Sequence, residues 1–446
     1  MRARRQAGRT PVVGGMKHSP HRISVAGALA LCANAPALAA QQANLGDVWI
    51  THPDFEIGEG AAGTGPAAFG IISTVRSIGD SLLLVTEAWD SRVTIWTPGG
   101  TLVTRVGGPG EGPGEFSHMI MSVGVHRDGF SVRDHVRFTS FSNAGETLGT
   151  TPFPPPPLSF RGYGLRPQAL LEDGSVLAVP GVSPAALMEV YGDDPVEMLP
   201  VLRLAEEGGR WGVDTIAMLD NRNRDFSIVP EGHSAFGGGI HTAQPLGDFD
   251  LTFFEPALGT VVVLRRNLGG GLVELVEIEA DGDTILQRRV ATSPVTLDRA
   301  RIASYVDRLA QEYSRPGSLG SSFPYRALRA AIEEALYVPN PLPGARTVHG
   351  TASGEIWFRG FETEDSLSPW YAVSRDGTTP GLRRVLLPPG FSATDATDTH
   401  VLGIRRDELG VEYVVGRRLV PLAASGSSEG ADSGPFRSLI PGDFDQ

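Results

Sequence analysis

The sequence predicts an all-β protein, a six-bladed β-propeller with a small helical insertion between the fourth and fifth blades. Three observations carry this. Gly-rich loops that each deliver one aromatic recur: "GTGPAAFG" holds Phe69, "GPGEF" ends at Phe116 and "GHSAFGGG" holds Phe236. Each Phe is followed at a near-constant distance by a turn aspartate: Phe69 by Asp80 after 11 residues, Phe116 by Asp128 after 12 and Phe236 by Asp248 after 12. After each turn come short runs of Val, Ile, Thr and aromatics, broken by Gly, Asp, Asn and Ser, which supply the positive φ or the side-chain hydrogen bonds of tight turns.

Six such units can be counted, with turn markers at Asp80, Asp128, Asp173, Asp248, Gly354 and Asp398, separated by 48, 45, 75, 106 and 44 residues. A unit of about 45 residues is the length of a four-stranded propeller blade. The two long gaps then hold insertions. The first is expected within Gly181 to Asn223. The second, residues 296–339, contains the convincing helices: "TLDRARIASYVDRLAQEY", with a Thr296 cap and a stripe of Ile302, Val306, Leu309 and Tyr313, and "PYRALRAAIEEALY", with Leu328, Ile332 and Leu336 at helical spacing. The run "GDVWITHPDFEIG" (Gly46 to Gly58) is strand-like and can add an outer strand to the last blade, hiding sheet edges by closing the ring. The propeller is placed at 46–422, and the Ser-, Gly- and Asp-rich tail 423–446 is expected to be disordered.

Ahead of the first strand, Met1 to Arg22 carry six Lys and Arg and no acid, followed by the apolar "ISVAGALALCANAPALAA". This predicts an export signal over residues 1–40, with Ala37 and Ala39 before the cleavage point and Met1 or Met16 as the start. Leu31 argues against lipid attachment at Cys32, because lipoprotein signals place a small residue there. Without the signal the chain has neither cysteine nor lysine, since Cys32 and Lys17 are the sole examples, which removes thiol and lysine Schiff-base chemistry. Losing six positive and no negative residues takes the formal charge from −13 to about −19, which disfavours nucleic acid and anionic membrane surfaces. No later stretch has the roughly 18 apolar residues of a membrane span. A monomer in the periplasm or outside the cell is the expectation.

The loop "GGPGEGPGEF", the segment "ALRAAIEEALYVPNPLP" leading into "SGEIWFRG", and "VLLPPGF" followed by "VLGIRRDELGVEYVVGRRL" resemble a group of exported bacterial six-bladed β-propellers related to the NHL-repeat family. The resemblance spans roughly Gly46 to Leu422 and implies a fold, not an activity. Such propellers include binding and scaffold modules and a minority of metal-dependent lyases and lactonases. The expectation is therefore a non-catalytic module that binds a peptide, glycan or small molecule, with no cofactor assigned. The alternative is a metal-dependent lyase or lactonase acting in the central channel.

"GGPGEGPGEF" leads into the strand-like "SHMIMSVGV" rather than a helix, so it reads as an inter-blade connection with Phe116 packed between blades, not as a phosphate cradle. The Gly58, Gly60, Gly63 match to a dinucleotide fingerprint, and the "GSSEG" match around Ser428, both lack the strand–turn–helix setting that gives those motifs their chemistry. His118, His126, His241 and His349 lie at unequal offsets from the turn markers, so they do not form a repeated ligand set. Asp248, Asp250, Asp281 and Asp283 are explained as turn formers before calcium ligands. Trp89, Trp96, Trp357 and Trp370 are assigned to packing between blades. Arg265, Arg266, Arg359, Arg405 and Arg406 are read as partners of surface acids, with a channel for an anionic ligand as the sharper possibility.

Overall fold

The computed structural model describes residues 48–422 apart from 61–62, 80, 155–158, 161–162, 182–196, 232–238, 316–317, 319, 362–366 and 376–381. The expected export signal, the C-terminal tail with Ser428, the turn marker Asp80 and the loop aromatic Phe236 lie outside the described residues. What is described is mostly strand, in a propeller-like arrangement of sheets.

The first strand, β1 (Val48–Ile57), belongs to a sheet completed at the other end of the chain. The next four, β2 (Thr74–Ile78), β3 (Leu82–Glu87), β4 (Arg92–Trp96) and β5 (Leu102–Val106), form an antiparallel meander, and so do β6 (Ser122–His126), β7 (Gly129–Arg133), β8 (Arg137–Ser142) and β9 (Thr147–Pro152). A five-stranded sheet follows: β10 (Ser159–Phe160), β11 (Tyr163–Leu170), β12 (Val176–Pro180), β13 (Met198–Glu207) and β14 (Arg210–Asp220). A separate hairpin, β15 (Asp225–Ile228) and β16 (Ile240–Ala243), precedes another meander, β17 (Leu251–Glu255), β18 (Thr260–Arg265), β19 (Leu272–Glu279) and β20 (Thr284–Ala291). After helices α1 (Arg299–Tyr313) and α2 (Tyr325–Ala335) come β21 (Thr347–Gly350), β22 (Ile356–Arg359), β23 (Ser368–Val373) and β24 (Arg383–Leu387), then β25 (Phe391–Ala396), β26 (His400–Arg406) and β27 (Glu412–Pro421).

The last seven strands and β1 make one eight-stranded sheet. β1 pairs antiparallel with β27, Ile50 opposite Val420 and Ile57 opposite Val414, and its first residues also pair in parallel with β24, Val48 opposite Arg384. The N-terminal strand therefore covers two sheet edges at once, a protection that open strand edges need.

Burial follows position within each sheet. The second strands are the most buried: "GFSVR" of β7 is buried throughout, and β18 from Thr260 to Leu264. Outer strands such as β20, "TILQRRVA", alternate between the two faces as a half-solvated strand must. Apolar side chains of neighbouring sheets interleave: Ile78, Leu84 and Val106 with Phe130, Val132 and Phe141, and Val261, Val263 and Val276 with Leu177, Leu199 and Val201. Each such side chain contributes about 1.5–3 kcal/mol by leaving water, an upper figure because unfolded chains are partly collapsed. The inner strands of neighbouring sheets adjoin: β11 lies beside β6 and β17, β17 beside β21, and β25 beside β2.

Several expectations need correction. Asp128, Asp173, Gly354 and Asp398 do mark the turns after β6, β11, β21 and β25, but Asp248 precedes β17. The turn after β17 is Pro256 to Gly259, which has no aspartate. The span Gly181 to Asn223 is not simply an insertion, because β13 and β14 occupy most of its described part. The cap of α1 is Asp298, whose carboxylate accepts from Arg301 N at 2.8 Å, rather than Thr296. Of the four tryptophans, Trp96, Trp357 and Trp370 are buried, whereas Trp89 stands 68% exposed in the β3–β4 turn.

Candidate functional site

The innermost strands do not pack alike. All five residues of β6 and the first four of β17 keep partial exposure, although the strands behind them are buried. Such strands border open space. Where β6, β11 and β17 converge there is a cavity of about 220 Å³. Phe138, Phe254 and Pro256 are its apolar lining and Ser122, Ser131, Gln168, Thr252 and Arg133 its polar one, while the ring of Phe253, which also borders it, is turned toward Arg76 and Gly350. No carboxylate lines it among the described residues.

Two local features make this space. Gly124, in the middle of β6, stands opposite Ser131, and a Cβ there would come within 2.7 Å of Pro256 Cγ and 3.1 Å of Ser131 Oγ. A side chain at 124 would fill the cavity. Arg133, the last residue of β7, is 6% exposed and crosses to the neighbouring sheet, where Nη1 donates to Pro167 O, while Nε has no partner. Burial, reinforced by the charge of Arg166, pushes it down to about 10. It stays charged at neutral pH.

Ser131 Oγ lies 2.9 Å from His126 Nε2. Burial lowers the His126 pKa, partly offset by Glu172, so the ring is neutral. A neutral His on a Ser hydroxyl is half of a nucleophile–base relay, but a working relay orients the base through its second nitrogen. Among the described residues nothing hydrogen-bonds His126 Nδ1, and the pair acts as a cross-strand tie between β6 and β7.

A second polar centre, on the other side of the inner strands, is occupied by its own charges. Arg76 of β2 donates to Gly350 O at 3.1 Å and faces Asp395 of β25 at 3.7 Å. Asp395 also accepts from Ser77 N, Ala352 N and Ala396 N. Beside them Arg375 bonds Glu277 at 3.0 Å and approaches Glu255 at 4.0 Å. Burial raises the Glu255 pKa against the pull of Arg76 and Arg375. This network ties four inner strands together, each guanidinium facing a carboxylate, although Arg76 Nε and Arg375 Nη2 make no hydrogen bond.

The residues singled out in the sequence are dispersed. His118 packs edge-on against His135 at 5.5 Å, His241 Nδ1 meets Ser227 Oγ in the hairpin, and His349 stacks on Trp370. Asp248 accepts from Asn223 and Tyr337, Asp250 from Asp220 N, and Asp281 from Asp283 N in a turn. Among the described residues no three His, Cys, Asp or Glu side chains are grouped to hold a metal ion. Arg265, Arg405 and Arg406 pair with Glu274, Glu56 and Glu412. Arg359 donates to Ser368 Oγ. Arg266 differs: it is 4% exposed, donates to Phe249 O and Ala345 O, and lies over the Phe249 ring at 4.7 Å.

The Gly-rich loop cradles one of its own side chains. Glu115 accepts from Gly112 N at 2.8 Å, and Arg137 clasps the carbonyls of Glu111, Gly112 and Glu115. The place an external anion would take is filled. Arg133, Gln168 and Gly124, which shape the cavity, were missed by sequence reasoning: an Arg within "SVRDH" reads as a solvated strand residue until its surroundings are known.

No helix among the described residues is long and apolar enough to cross a membrane. No protein-family model matches the chain, and no curated protein matches it. Among solved structures it is similar to a gluconolactonase of Xanthomonas campestris, at 13% identity over 82% of this chain and 97% of that one, TM-score 0.35. It is also similar to a streptogramin B lyase, at 12% identity over 83% and 98%, TM-score 0.34, and to an oligogalacturonate lyase in complex with manganese, at 11% identity over 84% and 97%, TM-score 0.36. The structural neighbours are β-propeller proteins.

Proposed function

We propose that this chain is an exported, NHL-like, six-bladed propeller that acts as a non-catalytic binding module and takes a small molecule in its central channel. In this reading the eight-stranded sheet counts as two blades, β21–β24 and β25–β27 with β1, fused by the β1–β24 pairing. The observation that carries the binding role is the cavity of about 220 Å³ bordered by three inner strands and lined by both apolar and hydrogen-bonding residues, the composition of a small-molecule site. The basic and apolar N-terminal segment supports export, and intact-mass measurement of secreted protein checks it.

The test of binding uses benzamide, a neutral probe. An apolar cavity of about 150 Å³ accepts benzene, so this one has room for a ring with a small polar group. Saturable binding to the wild type by calorimetry, lost in Gly124→Val at a temperature well below that variant's own lowered melt, is the expected result. Equal binding by Gly124→Val puts the ligand elsewhere and overturns the reading.

A further inference from the structure

The chain carries 51 acids against 38 Lys and Arg, so a buried arginine without an acid is not a matter of supply. Arg92, Arg137 and Arg383 each meet a carboxylate. Arg133 meets none among the described residues, although a buried cation left with only a carbonyl is costly. Its fork of five N–H donors matches a carboxylate, and one backbone oxygen leaves most of that capacity unused. Its neighbours deepen the imbalance. The charge of Arg166 acts on both Arg133 and Arg224, lowering the pKa of each after burial has done so. With Arg133 the cavity is lined by Phe254, Phe138 and Pro256, surfaces suited to an apolar body, and by Ser122, Thr252 and Gln168, able to bond a second polar atom.

We infer that the channel cavity is a subsite for a small organic carboxylate on a ring-sized apolar body, with the Arg133 guanidinium as its counter-ion. The inference rests on the channel-binding reading and adds the ligand's charge to it. The rival role for Arg133 is a strut, its bond to Pro167 O tying β7 to β11.

Benzoate and benzamide differ in charge and little in shape, and calorimetry at pH 7 compares them on the wild type, Arg133→Met and Arg133→Lys. Benzoate should bind the wild type at least tenfold more tightly than benzamide. Arg133→Met should lose that preference yet keep benzamide binding, and should melt at or above the wild-type temperature, because a buried unpaired charge is gone. Arg133→Lys, with the charge but not the fork, should fall between. If Arg133→Met melts several degrees lower and still prefers benzoate, Arg133 is a strut and the inference is overturned. Benzamide binding without any preference for benzoate overturns the anion and leaves the channel reading standing. Binding of neither probe overturns both.

Discussion

Phe116 lies edge-on to Phe141, ring centroids 6.1 Å apart with the planes at 72°, and Phe69 meets Trp96 in the same way at 5.6 Å and 66°. Each loop aromatic precedes the first strand of its sheet and packs on the third, filling the seam with the preceding sheet. Phe116 is 1% exposed, and the loop fits around it so tightly that a Cβ on Gly107, whose φ is +81°, would overlap the ring.

Phe116→Ala should therefore cost about 3–5 kcal/mol, the range for emptying a buried aromatic site. Thermal and denaturant melts measure it. Because Phe116 does not itself line the cavity, benzamide affinity should stay within twofold of wild type for the folded protein. An unchanged melt with binding abolished would reverse the assignment of this loop from architecture to function.

Phe69 and Phe116 were legible because a loop aromatic with a fixed distance to the next turn is a local pattern. Asp248 mimicked that pattern and failed it, since a hairpin is inserted ahead of β17 and Asp248 instead anchors Asn223 and Tyr337. Trp89 was misread because exposure of a turn residue depends on what neighbouring loops cover. Arg133 was invisible for a deeper reason: like Arg266 it has no ion-pair partner in three dimensions, where a sequence so rich in acids suggests one, and its place on the cavity wall depends on strands far apart in the chain.

The pH dependence of stability should carry two opposed contributions. His349 is pushed down to about 4, first by burial and then by Arg76, against about 6.5 in an unfolded chain. Between these values the unfolded state binds the proton and the native state does not, so this stabilisation is complete above about 6.5 and is lost as pH falls toward 4. Its size is about 2 kcal/mol after discounting for the ring's partial exposure. Asp250 is pushed up to about 6, chiefly by burial, from about 3.8. Its contribution is present below about 3.8 and is lost as pH rises through 6. Melting series from pH 7 to 4 should show His349→Gln losing less stability than wild type on acidification, and Asp250→Asn losing more. Parallel curves for all three proteins would show that neither group is perturbed.

The last prediction concerns the helices. In an antiparallel run of four strands, such as β11–β14 or β17–β20, the last strand ends where the first begins, so the β14–β17 connection, carrying the hairpin, and the β20–β21 connection, carrying the helices, both leave from the strand ends at which β11 and β17 start. There they bury each other: Val306 and Leu309 of α1 and Leu328 and Ile332 of α2 form one cluster with Phe226, Ile228 and Ile240 of the hairpin. Gln244 reinforces the joint, donating to Ala335 O at 2.8 Å and accepting from Tyr337 N at 3.1 Å. That cluster contains no residue of the propeller sheets, so its opening has its own free energy, smaller than that of the ring. Ile332→Ala, which empties a fully buried site at about 2–5 kcal/mol, should speed hydrogen exchange in α1, α2, β15 and β16 together. Amides of β18 and β19, buried between sheets, should exchange as in wild type. Acceleration confined to the helices would mean that the hairpin belongs to the ring, and acceleration in every sheet would mean that the insertion is part of the propeller's own core.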